Sequence, residues 1–159
     1  MSARDPLTAG RHDVDWIRKL TMAFGVVFLL VGILGFIPGI TTHYGDMQFA
    51  GHTSNAKLLG IFQVSILHNI VHLLFGVAGL AAARNARTAA TYLLGGGIVY
   101  AVVWLYGWFV DNTSSANFVP LNTADNWLHF VLAVAMIALG AVALRALRGT
   151  STGRAPTLG

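Results

Sequence analysis

Four apolar runs without a charged residue constrain this chain more than anything else in it: Leu20 to Ile40, Leu58 or Ser65 to Ala83, Thr88 to Val110, and Trp127 to Leu144. The hydrocarbon core of a bilayer is roughly 30 Å thick and takes about 20 helical residues to cross, so each run can span it. The runs are too long and continuous for barrel strands, and a helix satisfies its own backbone hydrogen bonds where no water is present. Composition agrees: 55% of the residues are hydrophobic and only 10% charged, with a mean hydropathy of +0.66, values that water-soluble domains rarely reach. The expected fold is an all-α integral membrane protein, a four-transmembrane-helix bundle over residues 20–147 between cytoplasmic polar tails at 1–19 and 148–159.

Basic residues set the expected orientation. Arg4, Arg11, Arg18 and Lys19 precede the first run, Arg84 and Arg87 fill the turn between the second and third, and Arg145, Arg148 and Arg154 follow the fourth. Only Lys57 falls on the other side. The positive-inside rule then puts both termini and the 84–87 turn in the cytoplasm and the two longer loops outside. The formal charge of +4 follows from this topology and from attraction to anionic headgroups, and implies no nucleic-acid partner. The first nineteen residues are polar and no small-residue cleavage site follows, so the first helix is expected to be retained. The chain has no Cys, which excludes disulfides, iron–sulfur clusters and thiolate zinc sites.

The runs repeat. Gly25-Val-Val-Phe-Leu-Leu-Val-Gly-Ile-Leu-Gly35 aligns with Gly97-Ile-Val-Tyr-Ala-Val-Val-Trp-Leu-Tyr-Gly107, and His68-Asn69-Ile-Val-His72 aligns with Asp125-Asn126-Trp-Leu-His129. Two parallel helical-hairpin repeats are therefore expected, related by an axis along the membrane normal. One stripe of the second helix carries Ser65, His68, Asn69, His72, Gly76 and Gly79; its counterpart on the fourth carries Asn122, Asp125, Asn126, His129, Ala133 and Gly140. Small residues permit close approach and polar ones bond across it, so helices 2 and 4 are expected to face each other through these stripes, with Gly76 opposite Ala133.

Ionisable groups inside a membrane segment cost free energy and mark functional or organising positions. His68 and His72 are four residues apart, as are Asp125 and His129, a spacing that aims two side chains at one ion from one helix. Together they form a candidate site for zinc, iron, manganese or copper, with Asn69 and Asn126 holding the histidine tautomers. Alternatively, His72 and His129 alone supply axial ligands to a haem or another tetrapyrrole, with Phe75, Phe130 and Leu132 near its plane. A simpler reading leaves these residues hydrogen-bonding across the bundle to fix helix register. Proton handling by the histidines is a further one. The outer-loop residues His43, Asp46 and His52 and the tail residues His12, Asp13 and Asp15 have irregular surroundings that suit solvated side chains.

The motif His68-Asn69-x-x-His72 leading into Leu-Leu-Phe-Gly76, followed by Ala124-Asp125-Asn126-Trp-Leu-His129, resembles a domain-of-unknown-function family of small bacterial four-span membrane proteins, over roughly residues 20–145. The resemblance implies a fold and a location but no activity. The family often has a proline near positions 65–66 where this chain has Ser65-Ile66, which leaves the start of helix 2 open. The function expected is that of a non-enzymatic small membrane protein, an accessory or assembly module acting in the lipid bilayer with other membrane-protein subunits or as a homo-oligomer. The alternative is a metal- or haem-binding membrane redox protein.

Overall fold

The computed structural model of the chain describes residues 6–152, with side chains for 14–149. Four helices dominate it. The first, α1, covers Pro6–Leu34 and so begins well before the apolar run at Leu20. Proline suits a first helical position, where its missing N–H has no partner to lose. The side chains of Arg11, His12 and Asp13, and all of Arg4 and Arg154, lie outside the described residues.

The second helix, α2, covers Ile66–Ala82. Of the two starts open to it the later is taken, because the extended Ser65 accepts from the His68 N–H at 3.1 Å and caps the helix. The residues before it form a small antiparallel sheet of β1 (Thr41–Thr42), β2 (Lys57–Leu58) and β3 (Phe62–Gln63), paired in that order. Leu59 and Gly60 both have positive φ in the three-residue turn from β2 to β3, where the Ile61 N–H donates to the Leu58 carbonyl at 3.0 Å. Helix α3 covers Ala86–Phe109 and is capped by Asn85, whose side-chain oxygen accepts from the N–H groups of Arg87 and Thr88. Helix α4 covers Thr123–Thr152.

Among the described residues, three segments are long and apolar enough to cross a membrane: Val14–Leu34, Ala86–Phe109 and Thr123–Gly149. Helix α2 is equally apolar but has 17 residues, about 26 Å at 1.5 Å per residue. Polarity is inverted relative to a protein built for water. Leu30, Leu74, Val102, Phe109 and Val131 lie exposed, whereas His68, Asn69, His72, Asp125, Asn126 and His129 are buried. Lipid, not water, is the solvent that such an outer face matches.

Glycines decide which helices touch. A Cβ on Gly25 would lie 2.9 Å from the Leu80 nitrogen, and one on Gly76 would lie 2.7 Å from the Leu29 nitrogen, so α1 and α2 meet backbone to backbone. Likewise a Cβ on Gly97 would lie 2.7 Å from the Ile137 nitrogen, and one on Gly140 would lie 2.5 Å from the Leu94 nitrogen, joining α3 to α4. This corrects the expectation that the small residues of α2 face those of α4: Gly76 opposes Leu29, not Ala133. Three imidazoles stand between α2 and α4 further along, and a glycine-on-alanine contact would leave no room for them.

Three apolar clusters stack along the molecule. Ile17, Ala89, Ala90 and Ala143 sit at the end with the α2–α3 turn, Phe28, Leu93, Tyr100, Ala133 and Met136 in the middle, and Ala56, Leu58 and Val64 under the loops. At the turn end, Arg18 donates to the Ala83 carbonyl at 3.0 Å, satisfying an orphan acceptor at the end of α2. At the other end the Gly51 N–H donates to the Phe118 carbonyl at 2.7 Å, tying the two long loops together.

Candidate metal centre

The site lies between the middle cluster and the loops. His68 is in the first turn of α2 and His72 one turn on, so helical geometry alone puts both rings on one face. Their rings stack with centroids 4.6 Å apart and planes 5° from parallel. His129 reaches in from α4, its ring centroid 6.2 Å from that of His68. One ligand atom from each of the three lies within 4.8 Å of the others, and all three side chains are buried. Imidazole nitrogens around a tetrahedral ion at about 2.0–2.1 Å sit roughly 3.4 Å from one another.

Hydrogen bonding readies these rings for a ligand. The His72 Nδ1 lies 3.0 Å from the His68 carbonyl; a carbonyl only accepts, so Nδ1 carries the proton and the lone pair is on Nε2. The backbone of Pro120 engages the His68 ring from the outer loop. His68 Nδ1 and His129 Nδ1 are buried without a hydrogen-bond partner among the described residues. Buried polar atoms in native proteins are nearly always satisfied, and the amide oxygens of Asn69 and Asn126 are the other two buried side-chain atoms left unpartnered among the described residues.

A cavity of about 180 Å³ adjoins the three histidines, walled by Val71, Val99, Tyr100, Val103 and Phe118. Below it, Phe28 and Tyr100 stack at 5.3 Å and 4°, and each also meets a histidine, Phe28 with His72 at 6.0 Å and Tyr100 with His129 at 5.3 Å. Pockets for organic ligands start at roughly 300 Å³. The space fits an ion with a water or another small ligand, not a tetrapyrrole.

The other sequence candidates are placed differently. Asp125 is buried but stands outside the three-histidine group. Its carboxylate accepts from the Gln63 and Asn122 N–H groups at 3.0 Å each, while Asn122 accepts from the Asp125 N–H, closing the start of α4 against β3. Asn122 also donates to the Ile61 carbonyl at 2.8 Å. Asn69 lies in a notch at Gly35 and contacts Met47. Asn126 lies in the matching notch at Gly107 and donates to the Gly107 carbonyl at 2.6 Å. Asn126 thus ties α4 to α3, while Asn69 packs against the turn after α1 and bonds to Met47 of the outer loop, and neither amide hydrogen-bonds to a histidine among the described residues. Phe75 lines the cavity, whereas Phe130 packs on Trp104 and Trp127. Phe28 and Tyr100 are the site residues that sequence reasoning missed. The available signal was that they occupy matching positions in the aligned runs of α1 and α3.

A family profile described as Domain of unknown function (DUF4383) matches residues 18–142, and the chain belongs to that family. No curated protein and no solved structure matches the chain.

Proposed function

We propose that this member of a family without an assigned activity is a bilayer-spanning protein that holds one transition-metal ion at His68, His72 and His129. The single observation that carries this reading is the convergence of three buried imidazoles on one point, with two of their nitrogens unpartnered. Neutral imidazoles suit zinc, copper and iron. Three protein ligands leave a fourth position for water or a small ligand in the adjoining cavity. The cavity beside the histidines is small, and the work proposed is that of a non-enzymatic accessory or assembly module that serves other membrane-protein subunits or further copies of itself. Metal analysis tests the site directly. Protein purified in mild detergent and titrated with zinc should bind about one equivalent per chain, and His68→Ala, His72→Ala and His129→Ala should each abolish it. Wild-type protein that takes up neither zinc nor cuprous ion would defeat the metal reading and leave the histidines as packing groups.

The architecture proposed is two parallel hairpins, α1–α2 and α3–α4, both spanning the membrane with the termini in the cytoplasm. Support for the repeat comes from matched contacts: Gly25 on Leu80 beside Gly97 on Ile137, and Asn69 at Gly35 beside Asn126 at Gly107. Support for the orientation is the distribution of Lys and Arg. The chain has no native cysteine, so single cysteines report topology cleanly. Cysteine at the exposed positions Thr53 and Ser115 should react with an impermeant thiol reagent in intact cells, while cysteine at Arg84 should react only after the membrane is opened. Labelling of Arg84→Cys alone in intact cells would reverse the orientation.

A further inference from the structure

On the far side of the molecule from the loops, α2 and α3 diverge from the Ala83–Asn85 turn and leave a groove of about 760 Å³. Leu74, Phe75 and Ala78 of α2 form one wall, Gly95 and Val99 of α3 the other, and Arg87 stands at the turn end. Between Arg87 and Val99 α3 rises about 18 Å, slightly more than half the roughly 30 Å core of a bilayer. The groove is therefore about one leaflet deep, mostly apolar, with Thr88, Thr91 and Tyr92 on its α3 wall, and cationic at its mouth.

Two observations point to an occupant. Gly95 is exposed in the middle of α3, and a Cβ built on it would meet nothing within 4 Å. Glycine weakens a helix interior relative to alanine, and here no contact within the chain accounts for it, in contrast to Gly97 two residues on, which is pressed against Ile137. The missing side chain keeps the groove open. At its mouth, the Arg87 guanidinium is exposed and has no ion-pair or hydrogen-bond partner among the described residues. A guanidinium beside an apolar channel complements a phosphate attached to an acyl chain.

We infer that this groove binds an anionic phospholipid, one acyl chain lying along Gly95 and the phosphate at Arg87. The inference rests on the bilayer reading; the groove shares Phe75 and Val99 with the cavity beside the histidines but includes none of the three histidines. Purified protein in mild detergent is incubated with vesicles of phosphatidylglycerol or phosphatidylcholine, repurified, and its bound lipid counted by native mass spectrometry. Wild type should retain phosphatidylglycerol over phosphatidylcholine by about fivefold, the attraction that one basic side chain contributes. Arg87→Gln should bring the two to parity, and Gly95→Phe, whose Cβ enters open space and whose ring occupies the groove, should remove tightly held lipid of both kinds while the protein stays folded. Gly95→Leu repeats the test with a smaller filler should the phenylalanine variant not fold.

Equal retention of both lipids by wild type would overturn the inference, as would unchanged phosphatidylglycerol in both Gly95 variants. Displacement of the lipid by inorganic phosphate would make Arg87 a simple anion site and overturn it too. So would loss of a dimer in the Gly95 variants, since the occupant would then be a second copy of this chain. Recovery of the protein from the soluble fraction without detergent would instead defeat the bilayer reading itself.

Discussion

Gly97→Val and Gly140→Val should each unseat α4 from α3, while Gly95→Ala, in the same stretch of helix, should leave the protein at least as stable as wild type. The atoms that a new Cβ would strike decide the difference. At Gly97 the nearest is the Ile137 backbone nitrogen at 2.7 Å, and at Gly140 the Leu94 backbone nitrogen at 2.5 Å. Backbone atoms cannot rotate away as a side chain can, so the helices must separate and give up the close packing between them. Overpacking a core costs about 1–3 kcal/mol when side chains can yield, and should exceed about 3 kcal/mol here. Gly95→Ala meets open space and should gain about 0.5–1 kcal/mol from helix propensity. Denaturation of the purified protein in mixed micelles measures all three. A Gly97→Val protein that unfolds at the wild-type midpoint would show that α3 and α4 are not in backbone contact. The same argument applies to Gly25 and Gly76 on the other pair.

Zinc should stabilise the folded protein, and any one histidine of the three should be enough to abolish the effect. A ligand that binds only the native state at 100 times its Kd adds about 2.7 kcal/mol. Removing His68, His72 or His129 should eliminate that increment, and a double variant should lose no more of it than a single one, because ligands to one ion act as a unit. Asp125→Asn is the informative control. Its carboxylate holds the N–H groups of Gln63 and Asn122, so the variant should begin less stable than wild type yet keep the full response to zinc. If zinc stabilises the triple-alanine protein as much as wild type, the ion binds elsewhere. If Asp125→Asn also loses the response, the carboxylate belongs to the ion's ligands.

Hydropathy and charge made the apolar helices and the histidine cluster legible without coordinates, because an uncharged run is long or short on its own account and an i, i+4 pair shares a face in any helix. What a stripe of small residues could not reveal was its partner. Gly76 announces that some backbone comes close, and α1 and α4 satisfy that announcement equally well until they are placed in space. Asp125 illustrates a second limit. Its spacing to His129 equals that of His68 to His72, but it falls in the first turn of α4, where a carboxylate finds unpaired N–H groups at hand. Local capping took the side chain that spacing had assigned to a metal. The start of α2 was decided the same way, by a serine able to cap, and the residues before it went to the β2–β3 hairpin.

The stacked rings of Phe28 and Tyr100 carry a consequence for traffic through the molecule. An ion at the three histidines has loops on one side and, on the other, these two rings backed by Leu93, Ala133 and Met136. An unhydrated charge crossing such hydrocarbon receives neither carbonyl nor water in exchange for its shell, and a dewetted constriction of this kind is closed to ions. On the metal reading proposed above, an ion held at the histidines therefore does not pass through the Phe28–Tyr100 stack.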